Sequence, residues 1–471
     1  MPCLHSGRFA ADSQAAGPLW PLPSSTPAGT RLAIDGRASA GRRSVRDGLI
    51  VGLAGVFLYR SLWLPLSVLD RYGADFRNYY DAAAHLLAGL SPYGVKGFDY
   101  PPLTALLVLP VAGLPYPAAR VVWLVTSWLC LVAAGFLLVR ILGNDRTAVL
   151  AVAACWALGG TVAENLVLGQ VNPLLLFLVV LAWWGMSRGR GGVAAVAIGL
   201  ATALKLWPAV LLIPLAAWHW RRAVAGLGAA LALVALSWLP FLGLPPPHSP
   251  ARADYWLGTP ALLNFSLPAV ALRLADPPVP GQILPLSWRN GNDPLTFRLA
   301  PRQGAFSAGL AGVLLALGAG LLLWAARRSG RGREGELPAM AAAVSLALLA
   351  SPISWYHYQL LQLPGLALLA RRWSDRPAAR GWWLARLLGL AALAAGLTWT
   401  HVAGIGRYVD RFGWTDSAPA WLWLASSLVP FLALVHFALQ VRECALPPAL
   451  QSVSSYAGIR SSAQGERPGS P

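Results

Sequence analysis

Charged residues are scarce in this chain of 471 residues, and acidic residues are the scarcest among them. Only 12% of the residues are charged, and 19 Asp and Glu stand against 37 Lys and Arg, which gives a net charge of +18. Hydrophobic residues make up 56% of the chain. That is more apolar surface than one soluble core can bury, so the composition argues against an ordinary soluble domain and indicates a membrane protein.

Cysteine is almost absent, and strict alternation of polar and apolar residues is absent as well. The 4 cysteines are scattered, and two of them, Cys130 and Cys155, lie inside apolar runs. This spacing excludes a disulfide framework and a cysteine metal site. The apolar runs are blocks of Leu, Ala, Gly and Val rather than alternating strands, which argues against a β-barrel. We therefore predict an all-α polytopic membrane protein.

The positive charge lies in short Arg clusters between apolar runs. This distribution follows the positive-inside rule, under which such clusters stay in the cytoplasm. The charge therefore needs no nucleic-acid partner, and we predict none. The clusters are Arg42/Arg43/Arg46, Arg140/Arg146, Arg188/Arg190, Arg221/Arg222, Arg327/Arg328/Arg331/Arg333, Arg371/Arg372/Arg376/Arg380 and Arg442.

If every cluster is cytoplasmic, the chain crosses the membrane an even number of times between clusters. This condition predicts about twelve transmembrane helices, several of them shorter than the ~20 residues that span a bilayer. Their turns, at Pro or Gly, should lie below the membrane surface in a protein-lined cavity. The predicted regions are a disordered cytoplasmic tail (1–47), a transmembrane domain (48–440) with extracytoplasmic loops at 70–116 and 243–303, and a second disordered cytoplasmic tail (441–471). The first loop should contain a re-entrant or interfacial helix over Leu103 to Leu114.

The polar motifs then fall on the face opposite the Arg clusters. The segment from Asp70 to Pro102 holds four of the 19 acidic residues, namely Asp70, Asp75, Asp81 and Asp99. Further motifs on this face are Glu164-Asn165 with Gln170 and Asn172, Lys205, the long loop from Gly243 to Gln303, and Ser351 to Tyr358. We predict that these loops converge at one site.

Each candidate residue also has a purely structural interpretation. Asp75 can cap a helix over Phe76 to Leu87, because Asp is a favoured N-cap. Lys205 lies between two apolar stretches and can snorkel to the interface or bind an anion. His357 can be a structural histidine, and Gln170 and Asn172 can satisfy backbone groups at the turn before Pro173. Asp70, Asp81 and Asp99 are better explained as solvated, capping or supporting residues.

Taken in order, the motifs resemble one family of enzymes. DFRNYYDAA, SPY, FDYPPLTALLVLP, ENLVLGQVNPLLL, GLATALKLWPAVLLIPL and SPISWYHYQLL are similar to the bacterial membrane glycosyltransferases of family 87, over about Asp47 to Gln440. The resemblance implies a GT-C type fold in the plasma membrane. It also implies a sugar donor on polyprenyl phosphate, used by α-1,2-mannosyltransferases and related arabinofuranosyltransferases. The active site is expected on the extracytoplasmic face.

The resemblance also assigns roles by position. Asp75 in DFRNYY matches the catalytic acid of the first loop, and Lys205 and His357 match contacts to the donor phosphate. Predicted substrate-lining residues are Tyr79, Tyr80, Tyr100, Gln170, Asn172, Trp355 and Tyr358. Most of these aromatic residues fit an interfacial belt better.

The chemistry of sugar transfer suits these residue types. Transfer from a polyprenyl phosphate develops oxocarbenium character, and a carboxylate can accept the proton of the attacking hydroxyl. The departing phosphate needs a cation more than a proton. The chain has no DxD pair to hold Mg²⁺ on a nucleotide diphosphate, so we predict no metal and no cofactor. We expect transfer of mannose or another hexose to a lipid or glycan acceptor; the alternative is a flippase or transporter for a lipid-linked sugar.

Overall fold

The computed structural model describes residues 44–69, 73–95, 97–242, 264, 266–275, 301–329, 333–375, 428 and 430–436. Within these ranges the regular elements are helices, and a single isolated bridge joins Asn264 to Trp355. The predicted all-α class is confirmed. Most of both predicted tails, the span predicted over 384–400 and most of the 243–303 loop lie outside the described residues.

Thirteen helices, numbered in chain order, carry the argument below. They are α1 (Ser44–Ser67), α2 (Ala74–Leu87), α3 (Pro102–Val108), α4 (Tyr116–Leu142), α5 (Arg146–Leu158), α6 (Gly160–Leu168), α7 (Asn172–Ser187), α8 (Gly191–Leu204), α9 (Leu212–Trp238), α10 (Leu267–Ala275), α11 (Pro301–Ser329), α12 (Arg333–Ala350) and α13 (Leu363–Asp375). Short 3₁₀ turns precede α9 at Trp207–Leu211 and α13 at Tyr356–Gln362.

Several of these helices are long and apolar enough to cross a bilayer. Four stretches have the length and composition of a span: α1, α4, α9 with its preceding turn, and α11, although α9 folds back at His219 and is not one straight span. The pair α5 and α6, bent by 54°, makes a fifth only if it is one broken span, and α7 and α8 are shorter apolar helices. The chain is thus a multi-pass membrane protein, and the number of about twelve spans stays a prediction.

Helix α9 contains the turn that the Arg221/Arg222 cluster predicts. His219 has non-helical dihedral angles (φ −142°, ψ 60°). A Cβ added to Gly226 would lie 3.0 Å from the Leu212 side chain, although a straight helix would hold these residues about 21 Å apart. The chain therefore folds back at His219, and the two halves run side by side.

Small residues bring α8 and α9 into close contact. A Cβ added to Gly199 would lie 3.1 Å from the Gly226 carbonyl oxygen, and a Cβ added to Gly226 would lie 3.2 Å from the Ala195 carbonyl oxygen. Backbones approach this closely only where side chains are small, as at many helix interfaces in membranes. Helix α7 packs between α4 and α8 and buries Leu175, Leu176 and Trp183. This core holds the turns on either side of α7 and α8 in fixed positions.

The ends of these helices follow local chemistry. Helix α6 ends at Gly169, which adopts the left-handed conformation (φ 72°) that glycine supplies at helix C-termini. Pro173 lies in the first turn of α7, where its missing N–H is not needed. The motif ENLVLGQVNP is therefore a tight reversal between two helices, with its polar residues at the apex.

Candidate active site

Asp75 lies in the first turn of α2 and does not cap it. The helix begins at Ala74, Gly73 is the N-cap residue with φ 120°, and no side chain caps the end. The capping interpretation of Asp75 is therefore wrong, because the positive φ of Gly73 starts the helix two residues earlier than predicted. A carboxylate in the first turn still gains from the helix dipole. Asp75 is partly exposed, so a ligand can reach it.

The Gln170 side chain, at the apex between α6 and α7, lies close enough to Asp75 to lower the pKa of its carboxyl. Gln170 is 1% exposed, and the Tyr79 hydroxyl donates to its Oε1 at 3.3 Å. Trp123 Nε1 donates to the Gly169 carbonyl oxygen at 2.8 Å and fixes the same turn from the other side. The Gln170 side chain therefore interacts with other side chains, and its role is not merely to satisfy backbone groups at the turn.

Lys205 follows the last residue of α8 in an extended conformation (φ −151°, ψ 130°). Its side chain does not snorkel, because the residue is only 8% exposed. The ammonium donates to Asn172 Oδ1 at 3.0 Å and lies 3.7 Å from the Tyr358 ring centre and 5.3 Å from the Tyr100 ring centre. The two rings and one amide thus hold a cation inside the protein.

Asn172 and Asn165 connect Lys205 to the His357 segment. Asn172 Nδ2 donates to Asn165 Oδ1 at 2.8 Å, and Asn165 Nδ2 donates to the carbonyl oxygens of Thr161 and His357, both at 2.7 Å. Asn165 is fully buried. It was not among the predicted site residues, although a lone Asn in an apolar helix four residues before Gly169 was a usable signal.

His357 and Tyr358 lie in the 3₁₀ turn before α13. Both are buried, and their rings meet edge to face with centroids 4.8 Å apart. Tyr100 meets Tyr79 in the same way, also at 4.8 Å. Aromatic rings from the segment before α3 and the turn before α13 therefore lie against Lys205, and Tyr79 of α2 packs on one of them. Seven of the predicted residues besides Asp75 belong to this cluster, namely Tyr79, Tyr100, Gln170, Asn172, Lys205, His357 and Tyr358.

Burial and mutual charge set the ionisation of the cluster. Burial raises the pKa of Asp75 to about 6, against the opposing effects of the Gln170 side chain and the Lys205 charge. Burial lowers the pKa of Lys205 to about 7, and the charge of Asp75 opposes this shift. Burial and then the Lys205 charge lower the pKa of His357. The site therefore combines a carboxylate of raised basicity, a buried cation and a neutral imidazole.

Two predicted residues lie outside the cluster. The Tyr80 hydroxyl donates to the Leu114 carbonyl oxygen at 2.7 Å, and its ring packs on Tyr116 at 5.3 Å. Trp355 pairs with Asn264, whose side chain also accepts from the Ser354 N–H at 2.8 Å. Asn264, in the long loop, is a further residue that the sequence did not single out.

Asp81, another acidic residue of the first loop, has different surroundings. It forms a surface ion pair with Arg77 at 2.9 Å. Asp70 lies outside the described residues. No group of three or more His, Cys, Asp or Glu that could hold a metal ion occurs in the described part of the chain.

Comparison with known proteins gives one family match. The model of glycosyltransferase family 87 matches residues 98–352, which is more than half of the chain. Gln170, Asn172 and Lys205 lie inside this range, whereas Asp75 precedes it and His357 follows it. The case for the last two residues therefore rests on the geometry above and on the order of motifs.

Curated relatives cover much of the chain. The chain is 27% identical over 376 residues to the polyprenol-phosphate-mannose-dependent alpha-(1-2)-phosphatidylinositol mannoside mannosyltransferase of Mycobacterium tuberculosis, covering 74% of this chain and 81% of the relative. The same enzyme of Mycolicibacterium smegmatis is 26% identical, with 72% and 76% covered. The alpha-(1->3)-arabinofuranosyltransferase of M. tuberculosis is 30% identical over 206 residues, which is 41% of this chain and 47% of the relative.

Proposed function

Because this chain belongs to glycosyltransferase family 87, we propose that it transfers mannose or another hexose from a polyprenyl-phosphate donor to a lipid or glycan acceptor. The names of the two mycobacterial mannosyltransferases support the donor class. The observation that carries the proposal is the arrangement of Asp75 and Lys205. A partly exposed carboxylate lies near enough to a buried cation for the charge of Lys205 to lower the pKa of Asp75.

Asp75 acts as the general base. It accepts the proton of the acceptor hydroxyl while the oxygen of that hydroxyl bonds to the anomeric carbon of the donor sugar. Its raised pKa of about 6 makes it a stronger base than an ordinary carboxylate and leaves it ionised at neutral pH. Such a base contributes roughly 10²- to 10⁴-fold to a rate.

Lys205 and His357 bind the phosphate of the donor. As the bond from the anomeric carbon to the phosphate oxygen breaks, the sugar gains oxocarbenium character and the phosphate gains negative charge. An ammonium has three donors, so Lys205 can bond to Asn172 and to a phosphate oxygen together. Its low exposure strengthens the attraction, because less water screens the charge. No protein group needs to protonate the leaving phosphate.

The helix ends support the proposed sidedness of the site. Helix α4 has Tyr116 at the site end and Arg140 at the other, α7 has Asn172 at the site end with Arg188 just beyond the other, and α8 begins next to Arg190 and ends at Lys205. Arg residues mark the cytoplasmic ends of spans. This arrangement supports an active site on the extracytoplasmic face of the bacterial plasma membrane.

The alternative of a flippase or transporter gains no support. The matching family is a family of glycosyltransferases, and the relatives named above are transferases. A transporter would also need a site that opens to each side of the membrane in turn. A carboxylate at one end of the helices does not provide such a site.

The test uses purified protein in lipid nanodiscs with synthetic polyprenyl-phosphate mannose and a mixture of mannosylated lipid acceptors. Wild-type protein should release polyprenyl phosphate and form a glycosylated lipid, detected by mass spectrometry. Asp75→Asn should lower the rate at least 100-fold. The matched control is Asp81→Asn, in the same helix but on the surface, which should stay within about threefold of wild type. Equal rates for Asp75→Asn and wild type would reject the catalytic assignment.

A further inference from the structure

Arg120 is a buried arginine that no predicted site included. It lies one turn inside α4 and is 3% exposed. Burying a guanidinium is costly, and an apolar residue of similar volume often fills such a space at no loss of stability. A buried arginine at the edge of a proposed active site therefore calls for a reason beyond packing.

The guanidinium bridges two segments that belong to the site. Arg120 Nη2 donates to the Val167 carbonyl oxygen at 2.8 Å, in the last turn of α6. The other side of the guanidinium lies directly on Gly73, where an added Cβ would collide with Nη1. Gly73 precedes Asp75 by two residues, and Val167 precedes Gln170 by three. Arg120 therefore lies between the segments that carry Asp75 and Gln170.

Two neighbours on the same face of α4 contact the same segments. Residues four and three apart on a helix share a face, so Tyr116, Arg120 and Trp123 line up. The Tyr116 hydroxyl donates to the Gly73 carbonyl oxygen at 3.4 Å, and Trp123 Nε1 donates to the Gly169 carbonyl oxygen at 2.8 Å. One face of α4 thus holds the start of α2 and the end of α6 together.

We propose that Arg120 is a positioning residue that holds the N-terminus of α2 against the α6–α7 turn and thereby keeps the Gln170 side chain beside Asp75. This inference rests on the proposed role of Asp75. Arg120 need not touch the substrate. Its loss should separate the two segments and weaken the interaction with Gln170 that stabilises the ionised form of Asp75.

The expected signature is a change in the pH dependence, which a merely structural loss of stability would not produce. The interaction with Gln170 lowers the pKa of Asp75, so its loss raises that pKa. In wild type, kcat should fall at low pH as Asp75 is protonated, and we call this fall the acid limb. Arg120→Gln and the milder Arg120→Lys should move the acid limb to higher pH and lower kcat at pH 7 at least tenfold. The donor KM should change less than threefold, because Lys205 is untouched.

Gly73→Ala tests the same contact from the other side, because the new methyl group displaces the guanidinium. Its control is Gly89→Ala, since Gly89 also has a positive φ (71°) but has open space around it. Gly73→Ala should shift the acid limb as Arg120→Gln does, and the double variant should lose much less than the product of the two single losses. Gly89→Ala should leave the limb in place.

A second measurement needs no turnover. The protonated carboxyl band of Asp75, identified by its absence in Asp75→Asn, can be titrated by infrared difference spectroscopy in wild type, Arg120→Lys and Gly73→Ala. A band that titrates at the same pH in all three proteins overturns the positioning role, whatever the activities are. If the band shifts as expected but wild-type protein transfers no sugar, the proposed function fails and the positioning role stands. Thermal unfolding in detergent identifies any variant that does not fold. If one of Arg120→Gln, Arg120→Lys and Gly73→Ala does not fold, the other two still test the proposal.

Discussion

The ammonium of Lys205 lies 3.7 Å from the centre of the Tyr358 ring. The two residues come from segments far apart in the chain, the end of α8 and the turn before α13. A buried ammonium over an aromatic face gains about 2 kcal/mol, which partly offsets the loss of its hydration. Tyr358 therefore fixes the position of the cation on which the proposed phosphate site depends.

This contact predicts different effects for two substitutions of Tyr358. Tyr358→Phe keeps the ring face, so the donor KM should stay within about threefold of wild type. Tyr358→Leu removes the face and should raise the donor KM by roughly 30-fold, the equivalent of about 2 kcal/mol. Steady-state kinetics with varied donor at saturating acceptor measure both. Equal losses in the two variants would show that the hydroxyl, and not the ring, matters.

Lys205→Ala should weaken use of the donor far more than use of the acceptor. The ammonium is the proposed partner of the donor phosphate, whereas the acceptor approaches Asp75. We expect the donor KM to rise at least tenfold, with the acceptor KM within about threefold. Lys96→Ala, at a lysine of the first loop, is the control for loss of positive charge in general. Equal changes in the two KM values of Lys205→Ala would argue against the phosphate role.

The pH dependence of activity should have an acid limb near pH 6. Asp75 has its pKa raised to about 6 by burial, so lowering the pH through this value protonates the base and activity falls. Raising the pH through the pKa of free Lys205, about 7, removes the cation, and kcat/KM for the donor should fall again. Lys205→Arg keeps its charge at all accessible pH values. The activity that Lys205→Arg retains should therefore still fall at low pH but no longer fall at high pH. If this variant loses the fall at low pH instead, the assignment of the two pKa values to Asp75 and Lys205 is reversed.

Gly169 should tolerate substitution much less than Gly189 does. Both have positive φ, 72° and 69°, so alanine is strained by a similar amount at either position. At Gly169 the new Cβ would also lie 2.5 Å from Phe76 Cβ, next to Asp75, whereas Gly189 has open space around it. Gly169→Ala should abolish most activity and lower the melting temperature, and Gly189→Ala should cost about 1–2 kcal/mol without loss of kcat. Similar kcat values for the two variants would contradict the tight packing of the turn on α2.

The proposed sidedness predicts the accessibility of two positions. Ala74 is exposed beside Asp75, and Gly189 is exposed at the opposite ends of the helices. In a chain whose four cysteines are replaced, Ala74→Cys should react with a membrane-impermeant maleimide in intact cells. Gly189→Cys should react only after the cells are opened. The reverse pattern would place the site in the cytoplasm.

Much of the site could be predicted from the sequence, because the motifs of the site are local. DFRNYY, the GQVN turn and the lysine between two apolar runs could each be recognised, and their order suggested a shared site. The local sequence pattern did not predict the correct first residue of α2. The conformation of Gly73 sets that boundary, and it depends on the packing of Arg120 and Tyr116 from another helix.

The partners of residues that pair with distant segments could not be found in this way. Asn165 bonds to the carbonyl of His357, 192 residues away, and Asn264 bonds to the segment from Pro352 to Ser354. Arg120 looked like an ordinary arginine near the end of a transmembrane helix. Its burial and its contact with Gly73 appear only when α2, α4 and α6 are assembled.

The sequence by itself determined that this protein is a polytopic helical membrane protein, and it determined which end of the helices is polar. Both follow from sums over residues: apolar length decides which segments can span a bilayer, and arginine distribution predicts their orientation. Only the tertiary structure decided that Asp75 meets Gln170, that Lys205 is held by Tyr358 and Asn172, and that Arg120 joins two segments of the site. A hydrogen bond or a cation–aromatic contact forms over a few ångströms, and the packing of whole helices decides which side chains come that close.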